Sequence, residues 1–164
     1  AWLAPILCFT AEEAWQSRVD DPVNSVHLRS YDPVPAVWRN DDVATRWSAI
    51  RKTRQVVMSA LEAARNEGEI GSSLQAAPIV HVSSDMVTIF ADIDCAALFI
   101  TSDAGVTDAP APADAFRMEG IDDVAVVFAK ADGGKCARCW KILPDVTTEN
   151  GICGRCDDVV SSSQ

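Results

Sequence analysis

The hydrophobic positions of the chain show their clearest period between residues 41 and 67, where apolar side chains recur close to every 3.6 residues. This pattern predicts the longest helix of the protein. Asp41 or Asp42 can cap its start, and Gly68 and Gly71 mark its end. The predicted buried stripe of this helix consists of Val43, Trp47, Ile50, Val57, Leu61 and Ala64.

A shorter apolar pattern before this helix predicts another helix that runs to about Arg18. Thr10 and Glu13 have the spacing of a capping box, in which the hydroxyl accepts from the backbone and the glutamate reaches back. Residues 19–40 contain several prolines and predict a long ordered connection, with an extended segment at residues 26–28.

The middle of the chain alternates between short apolar segments and breaks. We expect strands at residues 78–82, 98–101 and 124–129. Residues 86–93 fit both a helical and an extended pattern, and we predict a helix there. Residues 103–120 are rich in alanine, proline and aspartate and are expected to form a surface loop. This alternation predicts a three-stranded sheet with a crossover helix.

Charge is distributed unevenly along the 164 residues. The net charge is −10, and residues 66–129 carry all of it, with eleven acidic residues against one basic residue. The middle of the chain is therefore a poor partner for a polyanion, whereas the balanced flanks stay free to meet one. The composition is globular, and no apolar run approaches the roughly 18 residues of a membrane span.

The start of the sequence has neither a methionine nor a basic leader. We therefore expect a piece of a longer cytoplasmic chain and no secretion signal. In a reducing compartment, paired cysteines hold metals more often than they form disulfides. Cys8 and Cys95 lie among apolar neighbours and are expected to be buried core residues.

The last four cysteines form two Cys-x2-Cys pairs separated by thirteen residues. Each pair can turn two thiolates toward one ion, and two pairs complete a tetrahedral site. We predict a single structural zinc ion that supplies much of the folding free energy of the tail. A rubredoxin-type iron site and two disulfides are the alternatives. The predicted ligands are Cys136, Cys139, Cys153 and Cys156.

Trp140 directly follows the first cysteine pair. Its indole can either cover the metal centre or stack on an unpaired RNA base, with Arg138 and Lys141 available for phosphate. A second basic surface on the long helix is either a solvated outer face or a phosphate-binding face. We find no pattern of an enzyme site, since the two histidines lack a nucleophile partner and no glycine-rich phosphate loop occurs.

Several segments, taken in order, resemble a known family. Residues 2–15 (Trp-Leu-Ala-Pro-Ile-Leu-x-Phe-Thr-Ala-Glu-Glu-x-Trp) resemble the helical anticodon-binding domain of class I aminoacyl-tRNA synthetases. Residues 47–51, 61–65 and 70–76 resemble the next long helix and its exit in isoleucyl-tRNA synthetases. Lys-Cys-x-Arg-Cys-Trp, together with the later Cys-Gly-Arg-Cys, resembles the C-terminal zinc ribbon of the bacterial-type enzymes.

Enzymes of this family join isoleucine to its tRNA with the use of ATP. The resemblance implies that this chain grips the anticodon arm, that the tryptophan of the ribbon helps to read the anticodon, and that the basic helix follows the RNA backbone. The residues expected to bind RNA are Trp140, Arg138, Lys141, Arg155, Arg46, Arg51 and Arg54.

The His-x-Gly-His and Lys-Met-Ser-Lys-Ser signatures of class I synthetases do not occur in this sequence. We therefore predict that this chain alone does not activate an amino acid. The expected fold is α+β, with a helical anticodon-binding-like segment at 1–75, a small acidic α/β domain at 76–131 and a zinc ribbon with its tail at 132–164.

The expected partner is the anticodon arm of isoleucine tRNA, and the catalytic domain of the same enzyme is a further candidate partner. Two other functions remain open at this point. The first alternative is a zinc-stabilised structural module that docks on the rest of the synthetase or on another protein. The second is an iron-bearing electron carrier.

Overall fold

The computed structural model describes residues 1–19, 21, 23–147, 149 and 151–162. The chain forms two compact units, Ala1–Asp41 and Asp42–Gln164. The first is built from helical turns and the second from helices and two sheets, so the predicted α+β class is confirmed. The division at 75/76 and 131/132 stays a prediction. Within the described residues, no helix is long and apolar enough to cross a membrane.

The first unit contains helix α1, Cys8–Gln16. The predicted capping box at Thr10 is wrong, because this residue lies inside the helix and, among the described residues, no side chain caps the first turn. The turn before the helix already has helical hydrogen bonds, from the Leu7 N–H to the Leu3 carbonyl and from the Ala11 N–H to the Leu7 carbonyl. The helix therefore begins earlier than the capping pattern indicated.

The segment that follows α1 folds back onto it. The Trp15 indole N–H donates to the Asn24 carbonyl at 2.6 Å. Val26–Leu28 forms a 3-10 turn in which the Ser25 hydroxyl accepts from the His27 N–H, so the predicted extended conformation is wrong. A second 3-10 turn, Ala36–Trp38, places Trp38 edge-on against Trp2 with ring centroids 6.0 Å apart.

Helix α2, Asp41–Asn66, confirms the predicted long helix. Gly68 adopts φ 78°, and the N–H groups of Gly68 and Glu69 donate to the Arg65 and Ala64 carbonyls, which is a Schellman end. The apolar stripe is confirmed from Ile50 onward, but Val43 and Trp47 are exposed. The buried side chains of α2 are Ile50, Thr53, Val56, Val57, Ala60, Leu61 and Ala64.

The second unit contains a four-stranded sheet with the order β2-β1-β4-β3. β1 is parallel to β2 and antiparallel to β4, with Val80 opposite both Val106 and Val126. The chain crosses from β1 to β2 through helices α3, Ser84–Phe90, and α4, Cys95–Phe99. The strands are β1, Ile79–His81, β2, Gly105–Thr107, β3, Phe116–Met118, and β4, Ile121–Val127.

Helix α2 and the sheet share one hydrophobic core. Val80, Val124 and Val126 from the sheet are buried in the same cluster as the inner face of α2, and Phe90 and Phe99 complete it from the crossover helices. The predicted helix at residues 86–93 is confirmed as α3 up to Phe90, and its apolar positions face this core.

Two predictions for the acidic middle are wrong. Residues 98–101 do not form a strand, because the Asp94 carboxylate accepts from the Ala97 N–H at 2.9 Å and caps α4. Residues 103–120 are not one loop, since they contain β2 and β3, and β3 joins β4 through a turn at Gly120 with φ 80°. Pairing with β1 and β4, not local propensity, makes these short segments strands.

The C-terminal part forms a small ribbon. β5, Gly134–Lys135, pairs antiparallel with β6, Ile142–Leu143, and α5, Gly154–Ser161, follows. Outside the ribbon, the prediction of two buried core cysteines fails for Cys8, which is exposed on α1. Cys95 is half-buried, and burial raises the pKa of its thiol, as does the neighbouring Asp94.

Candidate metal centre and the surface around it

The four cysteines of the ribbon converge on one point. Their sulfur atoms all lie within 4.8 Å of one another, and the Sγ atoms of Cys139 and Cys153 are 3.8 Å apart. Four thiolates at the Zn–S distance of about 2.3 Å are separated by roughly 3.8 Å in a tetrahedron. All four are free thiols in this structure. The donor set and its spacing therefore fit a single tetrahedral zinc ion and leave no place for a fifth ligand.

Each cysteine pair belongs to a tight turn that aims its sulfurs inward. In the first turn, the Trp140 N–H donates to the Cys136 carbonyl at 3.0 Å and the Cys139 N–H points at the Cys136 sulfur at 3.5 Å. In the second, Cys153 precedes α5, and the Cys156 N–H donates to its carbonyl at 2.9 Å. Cys136, Cys153 and Cys156 are buried.

The thiols around the centre differ in acidity. The backbone N–H of Cys139 donates to the sulfur of Cys136 and, together with the N–H of Cys153, lowers the pKa of Cys136 to about 6. The N–H of Cys156 likewise lowers the pKa of Cys153. Burial and the neighbouring sulfurs outweigh this effect and raise the pKa of Cys153 to about 12. Metal binding must therefore displace protons, and metal affinity should rise with pH.

The cationic residues of the ribbon lie at different distances from the centre. The Arg138 guanidinium donates to the sulfur of Cys156 at 3.8 Å and so offsets part of the thiolate charge. Arg138 and Arg155 are exposed, whereas Lys141 is half-buried. The structure thus brings Arg138 next to the metal ligands and leaves Arg155 on the surface of α5.

Trp140 is held in an unusual backbone conformation and points into solvent. Its φ is 66°, in the left-handed region that non-glycine residues rarely adopt. Its side chain is 62% exposed. The indole lines a groove of about 280 Å³ together with Lys135 and Ile142 from the ribbon. The other lining residues, Gly71, Ser72, Leu74 and Gln75, belong to the segment of residues 71–75 after α2. Part of this large aromatic ring is therefore available to a ligand.

The three arginines predicted on the long helix do not share one environment. Arg46 donates to the Ile89 carbonyl and to Asp92, and this contact lowers the pKa of the Asp92 carboxyl. Arg54 donates to the Leu98 carbonyl at 3.0 Å. Arg51 is exposed. The partners of Arg46 and Arg54 lie more than forty residues away in sequence, so helical periodicity could not have revealed them.

Two features of this surface were not predicted from the sequence. Residues 71–75 form the wall of the groove opposite the ribbon, and Ser102 joins the two walls through its side chain. A capping-box pattern at Ser72 and Gln75 was available as a signal for the first feature. The second feature, the link through Ser102, has no such signal, because a single serine after a short helix forms no recognisable sequence pattern.

Comparison with known proteins matches two parts of the chain. Residues 1–81 match the family model described as the anticodon-binding domain of tRNA ligase, and residues 133–159 match the zinc finger found in FPG and IleRS. With the four-cysteine cluster, the second match identifies one zinc ion as the cofactor and confirms that prediction.

Curated relatives match along nearly the whole chain. Isoleucine–tRNA ligase of Ruegeria pomeroyi is 50% identical over 159 residues, which cover 95% of this chain and 16% of that protein. The corresponding ligases of Agrobacterium fabrum and Bartonella henselae are 47% and 44% identical over 149 residues, and each match covers 90% of this chain and 15% of the relative. The chain thus spans about one sixth of the length of the curated relatives it matches.

Proposed function

The chain belongs to the isoleucine–tRNA ligase family, and from this premise we propose that it is the part of such an enzyme that recognises the anticodon arm of isoleucine tRNA. The observation that carries the proposal is the exposed indole of Trp140, which directly follows the first cysteine pair of the metal centre. In this role the chain binds RNA and catalyses no reaction. Other parts of the enzyme activate isoleucine with ATP.

The metal centre supports the proposal by reducing the entropy cost of binding. Trp140 follows directly on Cys139, and its N–H is bonded to the Cys136 carbonyl, so the turn that carries the indole is fixed before a ligand arrives. A base that stacks on a fixed ring does not have to order the loop that carries it. An exposed aromatic next to Arg138 is the combination that unpaired nucleotides require.

The basic face of α2 contributes less to this proposal than the sequence implied. Arg51 is the exposed member of the three arginines and is retained as the contact to the RNA backbone. Arg46 and Arg54 would have to exchange their bonds to the Ile89 and Leu98 carbonyls for a phosphate. We therefore assign them first to holding α2 on the α/β part, and their contact with RNA stays a prediction.

The test is a titration of the zinc-loaded chain with the anticodon arm of isoleucine tRNA, beside an arm that carries a mismatched anticodon. Trp140→Ala should weaken binding of the cognate arm by about 1–3 kcal/mol, the usual contribution of one stacked base. Val160→Ala removes an exposed apolar side chain from the same ribbon and serves as the matched control. Equal affinities for the wild type and Trp140→Ala would refute the role of the indole.

A second candidate partner is the rest of the same enzyme, and this follows from the apolar surface of the first unit. Several side chains of Ala1–Asp41 are strongly exposed, among them Phe9 at 92%. We infer that this surface packs against other parts of the ligase, since relatives of this chain are about six times longer. The salt dependence of the binding affinity distinguishes the two roles, because phosphate binding weakens steeply as the salt concentration rises whereas apolar docking does not.

The proposed role also sets where the protein works. Charging of tRNA for translation takes place in the cytoplasm, so we assign the protein to that compartment. Two Cys-x2-Cys pairs that converge on one metal site agree with a reducing environment.

A further inference from the structure

The groove beside Trp140 is formed by two segments that are distant in sequence. One wall is the segment of residues 71–75 that follows α2, and the other is the ribbon, represented by Lys135, Trp140 and Ile142. The width of the groove therefore depends on how the ribbon is held against the segment after α2. Any ligand that stacks on the inner face of the indole meets both walls.

Ser102 connects these two walls through a buried side chain, close to the backbone bond from the Ala131 N–H to the Gln75 carbonyl at 2.8 Å. Ser102 as a whole residue is 4% exposed, and its hydroxyl donates to the Leu74 carbonyl at 2.5 Å. The same hydroxyl accepts from the Ile142 N–H at 2.7 Å. Its own backbone N–H donates to the Ala76 carbonyl at 3.1 Å, which fixes the serine to the segment after α2. Leu74 and Ile142 both line the groove, so one hydroxyl is bonded to a residue of each wall.

The ribbon wall has little freedom to compensate for the loss of this contact. Ile142 begins β6 only two residues after Trp140, and the pairing of Lys135 with Ile142 is one of two residue pairs between β5 and β6. Trp140 sits in a left-handed backbone conformation that a turn of this kind must enforce. A shift of Ile142 is therefore passed directly to the indole.

We propose that Ser102 is a positioning residue for RNA recognition, which acts by locking Trp140 at a fixed distance from residues 71–75. This inference rests on the proposed function for its biological meaning, but the locking itself can be measured without RNA. Ser102 does not touch the nucleotide. It acts through the Ile142 N–H, and its contribution should disappear when the indole is absent.

The first experiment observes Trp140 directly in the zinc-loaded chain labelled with 5-fluorotryptophan. The Trp140 signal is assigned by its loss in Trp140→Phe. Ser102→Ala should shift or broaden this signal while zinc content stays at one ion per chain. Thr101→Val is the matched control, because the neighbouring Thr101 hydroxyl is equally buried but has no hydrogen-bond partner among the described residues. An unchanged Trp140 signal in folded, zinc-loaded Ser102→Ala would overturn the inference.

The second experiment is a double-mutant cycle on binding of the cognate anticodon arm. Ser102→Ala alone should weaken binding roughly 3- to 10-fold, the loss expected for hydrogen bonds that hold a contact in place. In the Trp140→Ala background the same change should have almost no further effect, since coupled residues are not additive. Equal losses in both backgrounds would contradict positioning through Trp140, whereas an unaltered Trp140→Ala affinity would refute the proposed function instead.

Discussion

At the scale of single residues, Glu12 shows how one side chain can organise a loop. Its carboxylate accepts from the Gln16 amide at 2.9 Å, from the Ser25 hydroxyl at 2.8 Å and from the Val26 N–H at 2.9 Å. These bonds, with that from Gln16 as the largest contribution, hold the pKa of Glu12 below its ordinary value of 4.5. Glu12 thus ties the 3-10 turn after α1 to the helix, although both are largely exposed.

The Glu12 contacts predict a pH dependence. A carboxyl group with a lowered pKa stabilises the fold above its unfolded value, and this stabilisation is lost as the pH falls through the folded value. Glu12→Gln should therefore reduce hydrogen-exchange protection of the Val26 amide at neutral pH, and the difference from wild type should shrink as the pH falls below 4.5 and through the lowered pKa of Glu12. Glu13→Gln, which changes the exposed next residue, is the control. A difference that does not shrink as the pH falls would contradict the assignment.

At the scale of elements, the ribbon depends on two adjacent glycines where the backbones approach closely. A Cβ atom on Gly134 would collide with the Val146 carbonyl, and one on Gly133 would collide with the Leu143 carbonyl. Gly133 also has φ 115°, which disfavours any other residue. These glycines allow β5 to lie against the strand and loop that lead to the second cysteine pair.

Replacement of Gly134 should consequently damage the metal centre without touching a ligand. We expect Gly134→Ala to lower zinc affinity and the melting temperature of the ribbon, because the methyl group pushes β5 away from Val146. Competition with a coloured zinc chelator measures the affinity. Gly105→Ala is the matched control, since a Cβ at that strand position meets nothing within 4 Å. Wild-type zinc affinity in Gly134→Ala would show that the close approach is not required.

At the scale of the whole molecule, the ribbon and the α/β part have separate cores. The large core joins α2, the sheet and the crossover helices. The ribbon core consists of Cys136, Val146, Cys153 and Cys156, so three of its four buried members are metal ligands. About thirty residues cannot bury enough apolar surface to fold alone, and the metal must replace the missing core.

Removal of zinc should therefore unfold one part of the molecule before the other. With a strong chelator, amides of residues 130–160 should lose hydrogen-exchange protection, while those of β1, β4 and the buried half of α2 should keep it. Mass spectrometry of the exchanged chain resolves the two regions. A ribbon that stays protected in metal-free protein would contradict the view that the ion is its core.

The sequence was sufficient for the longest helix and for the paired cysteines. The 3.6 period of α2 from Ile50 onward, its glycine end and the Cys-x2-Cys pairs are present as predicted, whereas the capping pattern at Thr10 was wrong. It was insufficient where the decision came from far away. Residues 98–101 have strand-forming side chains, yet the Asp94 cap and the core around Phe99 make them the end of a helix and a turn. The hydrogen bonds from Arg46 and Arg54 to carbonyls of the crossover were likewise not predictable from the sequence.

The margins of the four-stranded sheet have a consequence for self-association. Its outer strands, β2 and β3, are three residues long. Asp108 and Pro110 follow the first, while Arg117 lies on the second and Glu119 directly follows it. Short edge strands that carry charges or are followed by proline pair poorly with a strand from another molecule. Neighbouring molecules at high local density are thus hindered from extending this sheet into a polymer.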